Sequence, residues 1–138
     1  MTQPRGRHTA TRLGDGRVLI AGGWNEKALG SAEVFAPGTG AFIPVSGPMV
    51  KPRQQHAAVR LPDGSVLLLG GRGVDETLRS VERFDPRSGR FSEFLARLRQ
   101  ARRLFTATVL EGGRVLAIGG ASDTEVLRTA EIFASKRP

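Results

Sequence analysis

The apolar positions of this chain gather into three runs, Val18-Leu19-Ile20-Ala21, Val66-Leu67-Leu68-Leu69 and Val115-Leu116-Ala117-Ile118. Each run ends on a glycine pair: Gly22-Gly23, Gly70-Gly71 and Gly119-Gly120. Continuous apolar residues bounded by turn formers read as a strand covered on both faces, because a half-buried strand would alternate apolar with polar. None of the runs approaches the roughly 20 residues that a membrane-spanning helix needs. The runs recur at offsets of 48 and then 49 residues, so the repeat is the unit to interpret.

Other landmarks move in step. Before the runs stand His8-Thr9-Ala10-Thr11-Arg12-Leu13, His56-Ala57-Ala58-Val59-Arg60-Leu61 and Phe105-Thr106-Ala107-Thr108-Val109-Leu110. Asp15-Gly16, Asp63-Gly64 and Gly112-Gly113 separate these segments from the runs and carry the positive-φ chemistry of tight hairpins, which pairs a first strand to the second. Seven or eight variable residues follow each glycine pair. Then come Ser31-Ala32-Glu33-Val34-Phe35, Ser80-Val81-Glu82-Arg83-Phe84 and Thr129-Ala130-Glu131-Ile132-Phe133, a third strand. Turns at Pro37 to Gly40 and Pro86 to Gly89 lead to an outermost, least apolar fourth strand opening at Phe42 or Phe91. The third copy ends at Phe133-Ala134-Ser135-Lys136-Arg137-Pro138 and leaves out a fourth strand. The expected fold is all-β, one unit over residues 1–138 with about three four-stranded antiparallel sheets in repeats at 5–48, 53–97 and 102–138.

The order Arg-x-x-His, Asp-Gly, apolar run, Gly-Gly, Ala-Glu-Val-Phe, Pro-x-Thr-Gly-x-Phe resembles the kelch family of β-propellers. It looks most like the bacterial kelch and galactose-oxidase-like central domains, over residues 5 to 133. Two departures stand out. The family's usual Tyr of the third strand is Phe35, Phe84 and Phe133, and the Trp of the fourth strand is Phe42 and Phe91, so the packing rings are kept without their polar donors. The resemblance implies that each repeat is one propeller blade. Since rings take about four to eight blades, three would leave a bare face at each end, with strands such as His8 to Leu13 open to water. The simplest cover is a second copy, two chains head to tail forming a homodimeric six-bladed ring. A fragment of a longer propeller, completed by other sequence, is the rival reading.

Composition narrows the chemistry. The chain of 138 residues has no Cys and no Tyr, which excludes disulfide scaffolds and thiolate metal sites and, within the resembled family, the Tyr-Cys chemistry of copper radical oxidases. A net charge of +8 invites thought of nucleic acid, but the arginines are scattered and only Arg97, Arg99, Arg102 and Arg103 approach a cluster. Nucleic acid and membrane are therefore not expected partners. The opening Met1-Thr2-Gln3-Pro4-Arg5 lacks the apolar core of a secretory signal, which leaves a cytoplasmic location as the default expectation.

Residues that recur in every copy are read as scaffold, and those that differ as site candidates. Arg5, Arg53 and Arg102 fall in the first class. So do Glu33, Glu82 and Glu131, whose carboxylates, set beside apolar strands, need arginine or backbone amides as partners. His8 and His56 share a position with Phe105, and that phenyl ring together with the lack of Cys argues against a metal site. In the resembled family, segments just after the glycine pair and just before the innermost strand form the ligand-binding face. By position it holds Trp24, Asn25, Arg72, Ser122 and Asp123, with Arg7, Gln55 and Arg103. Arg7 and Arg72 suit a carboxylate. The expected function is a non-catalytic binding or scaffold module for a protein or small acidic ligand, without cofactor. The alternatives are a carbohydrate-binding or sugar-isomerising kelch enzyme, or a repeat fragment with no selected ligand.

Overall fold

The computed structural model describes residues 1–135, so the last three residues of the third repeat lie outside the described residues. Each glycine turn closes the hairpin its chemistry predicts. Gly16 and Gly64 both sit at φ 89° and Gly112 at 76°. Across these turns Leu13 N donates to Arg17 O (2.7 Å), Leu61 N to Ser65 O (2.8 Å) and Leu110 N to Arg114 O (2.7 Å). The third turn takes a short 3-10 form over Glu111–Gly113. The first sheet contains β1 (Thr9–Arg12) and β2 (Val18–Ala21). A minor ladder, β3 (Trp24–Asn25) with β4 (Lys27–Ala28), precedes β5 (Ala32–Ala36) and β6 (Ala41–Pro44), which complete the sheet in the order β1-β2-β5-β6. The second sheet repeats this order with β7 (Ala57–Arg60), β8 (Val66–Leu69), β9 (Val81–Asp85) and β10 (Arg90–Glu93). The third has β11 (Thr106–Val109), β12 (Arg114–Ile118) and β13 (Ala130–Ala134). All pairings in these sheets are antiparallel. The chain is thus all-β, with sheets of four, four and three strands and no α-helix among the described residues.

Stacking of the sheets explains the unbroken apolar runs. Successive side chains of a strand point to opposite faces. In β8, Val66 and Leu68 enter a core shared with Leu19, Ala21, Ala32 and Val34 of the first sheet, while Leu67 and Leu69 enter a second core with Val115 and Ala117 of the third. All four β8 residues are 0% exposed. The third sheet is less covered on the face turned away from the second, where Ile118 of β12 and Ile132 of β13 are 46% and 49% exposed, whereas Leu19, Ile20 and Ala21 of the first sheet's run stay buried. The strand His8 to Leu13 is less bare than expected, for Leu13 is buried and only Ala10 and Arg12 of β1 are exposed. Phe35 packs on Phe42 across the β5–β6 pair at 4.8 Å between ring centres, and Phe84 on Phe91 at 5.0 Å, so the phenyl rings fill the cross-strand aromatic place.

Arg5, Arg53 and Arg102 occupy three equivalent buried places. Arg53 donates through Nη1 to Gly70 O (2.9 Å) and Ser80 O (3.1 Å), and through Nη2 to Ser80 Oγ (3.2 Å) and Glu82 Oε1 (2.7 Å). Arg5 makes the corresponding bonds to Gly22 O, Ser31 and Glu33, and Arg102 to Gly119 O, Thr129 and Glu131. Each carboxylate also accepts backbone amides: Thr2 N on Glu33, Val50 and Lys51 on Glu82, Arg99 and Gln100 on Glu131. Burial raises the pKa of Glu33, but the Thr2 amide and hydroxyl together with Arg5 more than offset it and hold the carboxyl below its usual value. The arginine carbonyl faces the other way. Arg53 O accepts from Gly23 N of the preceding sheet (2.8 Å) and Arg102 O from Gly71 N (2.9 Å).

Substitution of one partner strands a buried charge, which costs about 3–5 kcal/mol. Glu82→Ala should lower stability by that amount in a urea titration. Arg17→Ala, which breaks the exposed pair with Asp15, should stay within about 0.5 kcal/mol of the parent.

Candidate functional site

The glycine pairs bring the sheets together at one rim. Gly22 and Gly23 have φ of 63° and 104°, Gly70 and Gly71 of 56° and 94°, a region that L side chains rarely adopt. Close approach demands glycine as well: a methyl group on Gly22 would overlap the Arg53 carbonyl, and one on Gly70 would sit 2.5 Å from the Arg102 carbonyl. The chain therefore leaves β2 and β8 directly beneath the segment that opens the next sheet. Arg7, Gln55 and Leu104 hold the equivalent place before each inner strand, all with φ between 53° and 56°. Gln55 N donates to Arg7 O and Leu104 N to Gln55 O, both at 3.0 Å, so these three residues form a backbone relay along the rim.

Above the relay lies an open polar cavity of about 640 Å3, lined by Arg7, Gln54, Gln55, Arg72, Asp75, Arg103 and Asp123. Five of the eight candidates, Arg7, Gln55, Arg72, Arg103 and Asp123, thus converge from three repeats. Trp24 stands beside them, 44% exposed, with the Arg7 guanidinium 5.9 Å from its ring centre. Asn25 pairs with Lys27 in the small ladder, and Ser122 accepts the Thr124 and Glu125 amides to order its own loop; neither lines the cavity. Gln54 and Asp75 belong to the lining and were missed. Gln54 could have been found, since its counterparts Gly6 and Arg103 differ from it. Asp75 lies in the variable loop after Gly71, where position alone says little.

The polar groups divide into a held set and a presented set. Asp123 accepts Thr77 Oγ1 (2.6 Å), Thr77 N (3.0 Å) and Arg72 Nη1 (2.5 Å), and these bonds, the Thr77 ones foremost, hold its carboxyl below the usual aspartate range. Arg72, expected to meet a carboxylate ligand, is thereby paired within the chain. Arg7 and Arg103 instead donate to neutral amides, Gln54 Oε1 (3.2 Å) and Gln55 Oε1 (3.3 Å), which aim the guanidinium groups without neutralising them.

The histidines sit below the rim. His56 is buried over Gly22, with Nε2 2.8 Å from Thr9 Oγ1 of the preceding sheet. Desolvation first, then the charges of Arg53 and His8, push its pKa down to about 3, so it is neutral at neutral pH. No group of three or more His, Asp or Glu side chains placed to hold a metal occurs among the described residues. No protein-family model matches the chain, and no curated protein matches it.

Because the unfolded chain binds a proton at His56 near pH 6.5 and the folded chain only near pH 3, the folding advantage of its neutral form is complete above pH 6.5 and erodes as pH falls towards 3. The slope approaches about 1.4 kcal/mol per pH unit for one proton. The pair His56→Phe with Thr9→Ala, which copies the Phe105 and Ala57 of the next sheet junction, should flatten that acid slope when urea midpoints at pH 7.5 and 5 are compared.

Proposed function

We propose that the three sheets are consecutive blades of a kelch-type propeller and that the chain is a non-catalytic binding module whose rim cavity takes an anionic ligand, a carboxylate-bearing small molecule or acidic peptide. The supporting arrangement is a sheet order repeated from inner to outer strand, with β1 next to β7 and β7 next to β11. One observation carries the functional reading: Arg7 and Arg103 are aimed at the same cavity by glutamine amides, and neither forms an ion pair among the described residues. Charge-assisted bonds to a carboxylate are among the stronger hydrogen bonds, and two arginines from different blades can hold both ends of such a ligand. The non-catalytic reading is supported by Asp123, which is saturated by donors and stays ionised, a poor state for proton transfer.

A tetraglutamate peptide is a suitable probe. Binding should quench or shift the emission of Trp24, the only Trp, because Arg7 stands over its ring. Arg7→Ala and Arg103→Ala should each weaken binding about tenfold, and raised salt should weaken it further. Arg97→Ala, on the exposed pair with Glu93, should leave it unchanged. A flat titration at low salt overturns the reading.

A further inference from the structure

The ring reading above requires more blades, and the contacts at the sheet junctions name their source. At the first junction Gly23 N donates to Arg53 O, Gln55 N to Arg7 O and Arg53 N to Leu29 O, and Thr9 Oγ1 meets His56 Nε2. The second junction repeats the backbone set, with Gly71 N to Arg102 O, Leu104 N to Gln55 O and Arg102 N to Leu78 O. There Ala57 stands in the place of Thr9 and Phe105 in the place of His56, its ring edge against Gly70. The facing side chains change together: Thr faces His, Ala faces Phe.

The two outer sheets hold the separated halves of a third such set. On the third sheet these are Gly120 N, Leu104 O and Leu127 O, none hydrogen-bonded to backbone among the described residues, with Thr106 in the place of Thr9. On the first sheet they are Arg5 O, Arg7 N and Arg5 N, equally unmatched, with His8 in the place of His56. Every donor at one end answers an acceptor at the other, and Thr106 answers His8. Gly119 follows suit, for only Leu127 O at 3.7 Å comes near a methyl group placed on it, where Gly22 and Gly70 are pressed by an arginine carbonyl.

The apolar surfaces match as well. Met49 packs in the core with Leu19, Ala32 and Val34. The counterparts Leu116, Ala130 and Ile132 line an open cavity of about 490 Å3 on the third sheet. Met1, 50% exposed, is in register with Met49 and Leu98, since Thr2 N binds Glu33 as Val50 N binds Glu82 and Arg99 N binds Glu131. We infer that a second copy of this chain sets its first sheet on the third sheet of its partner, twice about a twofold axis, to close a six-bladed ring.

Light scattering should give twice the 14.8 kDa chain mass. His8→Phe and Thr106→Ala each break a polar pair present at two junctions, so each should raise the dimer dissociation constant about 100-fold, while the double variant restores an Ala–Phe junction and most of the affinity. Ile118→Arg should give a single-mass particle, folded or not. A folded single-mass parent, open polymers, or a double-mass parent in which the two substitutions add without rescue overturns the second copy. Tetraglutamate binding in the same samples separates the two ideas, since loss of binding at double mass fails the binding reading alone.

Discussion

A guanidinium sealed from water needs its charge and its terminal nitrogens matched, and Arg53 shows how the chain meets that demand at a junction between sheets, with Nη1 and Nη2 bonded and only the buried Nε left without a partner. Burial pulls the Arg53 pKa down and the Glu82 carboxylate pushes it back, so neither residue can sit there without the other. The net energy of such a pair is modest; its selectivity is large, because only one register lets the side chain reach Gly70 O, Ser80 and Glu82 while the carbonyl of the same residue receives Gly23 N. Stability comes from elsewhere, chiefly from the apolar runs, of which β8 is covered on both faces. The arginine decides which way those runs stack.

Much of this was legible because it repeats. Three copies of a run, a glycine pair and a glutamate expose the period directly, and the period yields strand order, hairpin turns and the polar pairs that must be satisfied. Contacts that join unlike copies were not legible. Thr77 and Asp123 stand 46 positions apart, and nothing local to either announces the bond between them. The ladder of Trp24–Asn25 with Lys27–Ala28 was hidden for a different reason: it turns on Glu26 at φ 62°, a conformation unusual for glutamate and set by its surroundings.

The rim cavity illustrates the same division. Variation between copies pointed to its region, and Arg7, Gln55, Arg72, Arg103 and Asp123 do meet there. Sequence alone could not say which arginine keeps its charge available. That depends on whether the neighbour is an amide or a carboxylate, and Arg72 and Arg103 differ in just this respect. Backbone geometry adds a reason for the choice of place, since the relay through Arg7, Gln55 and Leu104 anchors the rim to the strands beneath it.

The alternation of Thr9–His56 with Ala57–Phe105 also bears on how the chain reaches its native order. Near-identical repeats invite annealing out of turn, with the third module closing on the first and leaving the middle one looped out. Such a shortcut would set Phe105 against Thr9 and strand a hydroxyl in a dry contact, a penalty of about 1–3 kcal/mol. A difference in two facing side chains thus acts as a parity check on assembly, rejecting a topology that the repeated backbone alone would accept.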